Sequence, residues 1–369
     1  MTGEASRPTT RRAYLDWLRG LAVLIMIEGH SRDSWTRLAE RNRDAYEWLN
    51  ITAGFGAPIF LFLAGISLAL AAGSRLRNRL SESQVGSMAL RRAVFIFGLA
   101  YLFRLQSWII SGGPFPESLL KVDILNVMGV SMIASVLLWR AGWNSTSRAA
   151  IFVVILVVVA MVTPIVRASP ALASLPDSVE RYLRPLAGQA TFTLLPWSAF
   201  LVAGGAIGIW LDSAPDARHE RRFATAVAIL GGSLATGSYA ASFLPPLYED
   251  VSFWTTSPSF FFLRLGIVML VLAAAYALNR VVRAPRLEEF GRASLFVYWI
   301  HVEMAYGVLS YPLHRVLSLE QAIVAFVLFS LLLYGLVKVK ARLVARIGTI
   351  RQNGSISSKI QYPRLAPPN

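Results

Sequence analysis

Cysteine is absent from the 369 residues, and that absence excludes disulfide staples, thiolate metal sites and a cysteine nucleophile together. Acid is scarce, with 21 Asp and Glu against 36 Lys and Arg, and only 15% of the chain is charged. Histidine occurs four times. Chemistry must therefore come from His, carboxylates, hydroxyls or Arg. The opening MTGEASRPTTRR is polar, and no short hydrophobic segment with a small-residue cleavage site precedes the first apolar run. A cleaved secretory signal is not expected.

What is abundant is apolar. Hydrophobic residues make up 55% of the chain and the mean hydropathy is +0.52, which leaves too few polar side chains to cover a soluble globule of this size. Ten apolar runs, near 14–31, 54–73, 91–110, 123–139, 149–166, 190–211, 223–243, 259–279, 290–310 and 319–337, predict an all-α, polytopic membrane bundle of about ten transmembrane helices in a lipid bilayer. The net charge of +15 would suit nucleic acid, but the charge is sorted by side. Of the 36 Lys and Arg, 24 fall in segments on the side of the two termini and 9 on the other. No nucleic-acid partner is expected, and the positive-inside rule places both termini in the cytoplasm. Residues 1–340 read as the transmembrane domain. Residues 341–369 read as a basic cytoplasmic tail, expected to be disordered or to lie on the membrane surface.

Ionisable groups inside spans are the exceptions that locate function. A charge at a helix centre costs about 2.5 to 3.5 kcal/mol even on lenient insertion scales, so such groups face a bundle interior or a wet cavity. At about 100° per residue, Asp16, Arg19, Val23, Ile27 and His30 share one face of the first span, while Glu28 points elsewhere. Ser294, Tyr298, His301 and Ala305 share a face of the ninth, with Glu303 opposite. His219 and His314 fall in loops. His30 and His301 are thus the intramembrane pair, each able either to hydrogen-bond a neighbouring helix or to act as a base near neutral pH. Asp33 lies one turn beyond His30 and is the candidate to orient its ring.

Further polar features are open between structural and functional roles. Arg75, Arg77, Arg79, Arg91 and Arg92 cluster on the cytoplasmic side, where they satisfy the charge rule, touch anionic lipid or hold the phosphates of a nucleotide-bearing substrate. Asp123 and Asn126, one turn apart, either cap the fourth span or, for Asp123, pair with Arg104 of the third. Arg264 lies near an outer boundary, between snorkelling and function. The segment Ser31 to Ala53 is long for a passive connection and either lines an acceptor entrance or is a solvated loop. Pro58 to Gly65 and Pro196 to Gly205 echo one another too faintly for a repeat.

In LRGLAVLIMIEGH, ten residues separate Arg19 from His30, which resembles the R-x10-H signature of the acyltransferase-3 family. YLDWLRGLAVLIMI, APIFLFLAG, VDILNVMG, LPWSAFLVAGGAIG and GRASLFVYWIH, in order from about residue 11 to 310, resemble the bacterial relatives of heparan-alpha-glucosaminide N-acetyltransferase. Such a resemblance implies a transferase in a bacterial inner membrane, moving an acyl group, acetyl above all, from cytosolic acyl-CoA to a hydroxyl or amine of a glycan-type acceptor at the far face. No metal is implied, and a homodimer is compatible with it. The acyltransferase-3 pattern carries His30 over as catalytic base with Arg19 as its motif partner. The heparan enzymes carry their histidine further along, where this chain has Arg41.

A thioester is already activated, so the protein need only position the acceptor, take its proton and stabilise the oxyanion. His30 would be the base, and Tyr298, Arg19 or His301 would donate to the oxyanion. Asp16, Arg104, Asp123 and Asn126 are candidates for contacting substrate. A route through an acyl-histidine is the alternative chemistry. The alternative function is a proton-coupled transporter or flippase for a sugar or lipid-linked substrate, relaying protons through His30, Asp16 and His301.

Overall fold

A computed structural model describes residues 11–186 and 192–357, with side chains to residue 347. It is helical throughout, with no strand among the described residues. α1 (Ala13–Trp35) is followed by α2 (Asp44–Ala53), which runs almost directly into α3 (Gly56–Arg77). A tight turn with Arg79 in the left-handed region (φ 62°) leads into α4 (Glu82–Ser111), whose start is fixed by a Ser81/Gln84 capping box. Beyond the single turn α5 (Glu117–Leu120), α6 (Ile124–Ala141) opens on an Asp123/Asn126 box and α7 (Ser145–Ala168) on an Asn144/Ser147 box. α8 (Asp177–Leu183), α9 (Leu194–Asp212), α10 (Ala217–Ala241) and α11 (Pro258–Asn279) follow. The chain closes with α12 (Pro285–Arg292), α13 (Ser294–Tyr306) and α14 (Leu319–Ser357).

Eight helical segments among the described residues are long and apolar enough to cross a bilayer. The two remaining expected spans fail for different physical reasons. α1 is long enough but carries Asp16, Arg19, Glu28, Arg32 and Asp33. α13 has only 13 residues, about 20 Å at 1.5 Å per residue against a hydrocarbon core of about 30 Å. The expected span at 290–310 is therefore a correction: it breaks at Ala293 into the end of α12, the short α13 and a 3-10 turn at Val308–Leu313. α14 continues past residue 340 to Ser357. The rest of the expected disordered tail, 358–369, lies outside the described residues.

Ion pairs and backbone bonds fix which ends lie together. Arg12 and Tyr14, at the start of α1, both reach Glu220 of α10 (2.9 and 2.8 Å). At the same end Arg77 meets Asp212 (2.7 Å) and Arg148 meets Glu82 (2.7 Å). We call this the near end. At the far end Arg37 N donates to the Leu317 carbonyl (2.9 Å), and Leu317 N donates to the Trp35 carbonyl (3.0 Å). The exposed Val153, Val154, Val157 and Val158 of α7, with Val324, Leu328 and Leu331 of α14, form the apolar periphery expected of helices facing lipid.

Among the places where glycine lets helices pack backbone to backbone, two position the site. A Cβ on Gly65 would overlap the Leu201 carbonyl oxygen and one on Gly204 would overlap that of Phe62, so α3 and α9 lie backbone to backbone in the small-residue manner of membrane helices. The two echoing segments are thus mutual packing partners. Likewise a Cβ on Gly291 would overlap the Asp16 carbonyl, and one on Gly20 that of Leu287. α12 is thereby locked against α1, and α13 starts on the polar face of α1.

Candidate active site

The close packing of α1 with α13 brings His30 and His301 into contact. His30 Nδ1 lies 3.0 Å from His301 Nε2, with the ring planes 9° apart. His301 is fully buried, and its Nδ1 lies 2.9 Å from the Val297 carbonyl oxygen one turn back. A carbonyl only accepts, so His301 Nδ1 carries the proton and, in the neutral ring, Nε2 is the acceptor. His30 Nδ1 must then be the donor. By elimination His30 Nε2 holds the free lone pair, with no partner among the described residues, on a ring only partly buried.

Aromatic rings surround the pair. Tyr306 stands edge-on to His30 with centroids 5.6 Å apart, and Tyr298 edge-on to His301 at 5.7 Å. Tyr298 in turn stacks on Phe60 (6.3 Å, 14°) and leans on Phe103 (6.0 Å). Its hydroxyl has no hydrogen-bond partner among the described residues. Asp33 was expected to orient His30. Instead its carboxylate accepts from the Tyr306 hydroxyl (2.9 Å) and faces Arg41 at 3.3 Å, half exposed. The orienting contact comes from His301. Helical spacing of three residues places Asp33 near His30 but does not aim it there, because Tyr306 and Arg41 offer a donor and a charge on its outer side.

Toward the near end the polar face of α1 opens on a cleft of about 370 Å³. Arg19 lines it, held by Asp16 Oδ1 (2.5 Å) and by Ser67 Oγ of α3 (2.5 Å). Asp16 is buried and also accepts from Arg11 (2.6 Å). Of the five arginines that were candidates for phosphate contact, Arg75 and Arg92 line the cleft. Arg77 is engaged with Asp212, Arg79 sits in the exposed turn, and Arg91 is exposed outside the lining. Inward the walls become apolar, with Leu68, Ile96, Met128 and Met132, and Phe60 is at the deep end. Phe60 and Arg75 are fifteen residues apart on α3, so the cleft extends about 22 Å along it. Neither histidine lines the cleft. The Phe60 and Tyr298 rings stand between.

Arg104 and Asp123 do meet, Nη2 to Oδ2 at 3.1 Å, as an ion pair without hydrogen-bond alignment. The other Asp123 oxygen accepts from Leu125 N (2.9 Å) and Asn126 N (3.3 Å), so capping and pairing coexist. Asn126 Nδ2 reaches the Tyr182 hydroxyl (3.4 Å), itself 3.1 Å from Tyr101. These residues bind α4, α6 and α8 together at the far end and do not touch the imidazoles. A buried Arg32 escaped the sequence reading, which put it in a loop. α1 in fact runs to Trp35, and Arg32 is 2% exposed, bonded to Glu28 Oε1 (2.5 Å) and Asn50 Oδ1 (2.9 Å), its guanidinium 4.5 Å from the Tyr46 ring centre. An Arg at i+4 from Glu28 was the available signal.

The fold and site together define a polytopic helical membrane protein with a hydrogen-bonded imidazole pair, one ring buried and one partly accessible, and a basic-mouthed cleft beside it. The family of the heparan-alpha-glucosaminide N-acetyltransferase catalytic region matches residues 11–243, more than half of the chain, and the protein belongs to that family of membrane acetyltransferases. The match contains α1 with His30 and the cleft arginines, and stops before α13 with His301. No curated protein matches the chain.

Proposed function

We propose that the protein takes an acetyl group from acetyl-CoA bound in the near-end cleft and passes it to a hydroxyl or amine of a glycan-type acceptor that approaches from the far end, across a bacterial inner membrane with both termini in the cytoplasm. The observation that carries this is the His30–His301 contact, which leaves His30 Nε2 as an unprotonated, partly accessible base inside a membrane acetyltransferase fold. Arg75 and Arg92 at the cleft mouth suit nucleotide phosphates, and the apolar depth suits the arm that carries the thioester.

In this reading the acceptor O–H or N–H gives its proton to His30 Nε2 while the acceptor oxygen or nitrogen bonds to the acyl carbon. Positive charge that develops on His30 is shared with His301 through the Nδ1–H bond. The C–S bond then breaks, and the thiolate recovers the proton from His30 to leave as CoA thiol. The Tyr298 hydroxyl, free of protein partners, is the candidate donor to the oxyanion. The acyl end reaches His30 only when the Phe60 and Tyr298 rings part, a local gating step. Far-end access runs past Tyr306, Asp33 and Arg41, which gives the polar segment after α1 a role at the acceptor entrance. Family membership favours transfer over the transporter alternative.

The test is CoA release by the purified protein with amino sugars and hydroxyl sugars as trial acceptors. His30→Ala is expected to reduce turnover by about 10²- to 10⁴-fold, the worth of a positioned base, while thermal unfolding in detergent stays unchanged. A folded variant with undiminished turnover removes His30 from the chemistry.

A further inference from the structure

A second cavity, of about 140 Å³, lies at the far end between the end of α7 and the starts of α9 and α11. Its volume is well below the roughly 300–1,000 Å³ of pockets for drug-sized ligands, so it suits a small head group. Arg167 and Arg264 both line it, with Trp197, Trp254, Ser257 and Phe260, and no Asp or Glu contributes to the lining among the described residues. Arg167 Nη1 donates only to the Thr255 carbonyl (3.0 Å). Neither arginine has a carboxylate partner among the described residues.

Arg264 is the stronger signal. Its guanidinium carbon is 4.4 Å from the Phe260 ring centre, 5.8 Å from Phe55 and 6.0 Å from Trp197, and its Nε is buried with no hydrogen-bond partner. Snorkelling leaves a whole guanidinium in water, whereas this half-buried head lies against the Phe260 ring with its Nε buried and unpaired. A guanidinium held against aromatic faces keeps its in-plane N–H groups free for a planar or tetrahedral oxyanion. The starts of α9 and α11 add positive potential at the same place, and the Ser257 hydroxyl is a further donor.

We propose that this cavity is an oxyanion site that takes a phosphate ester, two guanidiniums matching a doubly charged group. The ester has two sources of the same chemistry. Trp254, which lines the cavity, is 60% exposed, and Phe243, Leu244 and Leu247, in the segment that joins α10 to α11, are also exposed, apolar surface that suits a lipid headgroup. The cavity also opens to solvent, which suits a soluble phosphorylated molecule. Neither source depends on acetyl transfer by His30.

The experiment uses the full chain in two arms. In detergent micelles, glycerol phosphate is titrated by calorimetry. In nanodiscs, retention of phosphatidic acid, the lipid phosphomonoester, is compared with that of phosphatidylcholine after exchange. Binding in either arm, weakened about tenfold or more by Arg264→Gln and by a smaller factor in Arg167→Gln, with partial recovery in Arg264→Lys, supports the site. The arm that responds names the source. No binding in either arm, or binding unchanged in both glutamine variants, overturns it. If Arg264→Gln fails to fold by gel filtration, Arg167→Gln decides, because its side chain lies on the rim.

Discussion

His30 and His301 are 271 positions apart and share one hydrogen bond, Nδ1 to Nε2 at 3.0 Å, in nearly parallel ring planes. The second ring stands where a carboxylate orients the imidazole of a hydrolytic triad, but it brings no net charge into a low-dielectric interior, where an unpaired anion would be costly.

If His301 positions His30, its loss should act on turnover and not on substrate affinity. His301→Ala is expected to lower kcat by about 5- to 150-fold, the equivalent of one buried hydrogen bond of about 1–3 kcal/mol, with KM for acetyl-CoA unchanged. His301→Gln places an amide oxygen near the position of Nε2 and should recover part of that loss. Steady-state kinetics decide, and equal loss in both variants with a raised KM would show a packing role only.

The near-end arginines separate by what they touch. Arg75→Gln and Arg92→Gln should each raise the KM for acetyl-CoA by up to about fivefold, the value of exposed ion pairs, and the effect should shrink as salt is added. Arg77→Gln should leave KM unaltered because Asp212 already occupies its guanidinium. A series in which Arg77 matters as much as Arg75 would move the nucleotide out of the cleft.

Much of this site was legible from periodicity. The faces holding Asp16, Arg19 and His30 on α1, and Ser294, Tyr298 and His301 on α13, follow from 100° per residue, and both are turned inward. Which face meets which was not legible, since the contact depends on Gly20 and Gly291 bringing α12 against α1. Local spacing misled for Asp33, whose partners Tyr306 and Arg41 come from beyond its own helix. The break at Ala293 was hidden because a hydropathy window averages across it. The pairing of Arg104 with Asp123 was legible because both lie at the far ends of successive long helices.

Arg32 and Glu28 form a buried ion pair whose energetics are asymmetric. Removing the cation leaves a poorly solvated carboxylate, so Arg32→Ala should destabilise by about 3–5 kcal/mol. Replacing both partners by apolar residues, Arg32→Met with Glu28→Leu, should recover most of that loss. Thermal unfolding in detergent measures both. A double variant no more stable than Arg32→Ala would show that Asn50 and Tyr46, and not Glu28, set the value of the arginine.

Phe60 closes the deep end of the cleft against Tyr298, which makes it the residue that should limit acyl length. Phe60→Ala extends the apolar cleft toward His301, and each methylene accommodated there is worth about 1–3 kcal/mol of discrimination. The ratio of kcat/KM for butyryl-CoA over acetyl-CoA should therefore rise by about tenfold or more, with the absolute rate on acetyl-CoA reduced because the short chain is held less firmly. Competition between the two thioesters at equal concentration measures the ratio without needing the natural acceptor. An unchanged ratio in a folded variant would mean that the acyl end does not pass Phe60, and would break the proposed link between the cleft and the imidazole pair.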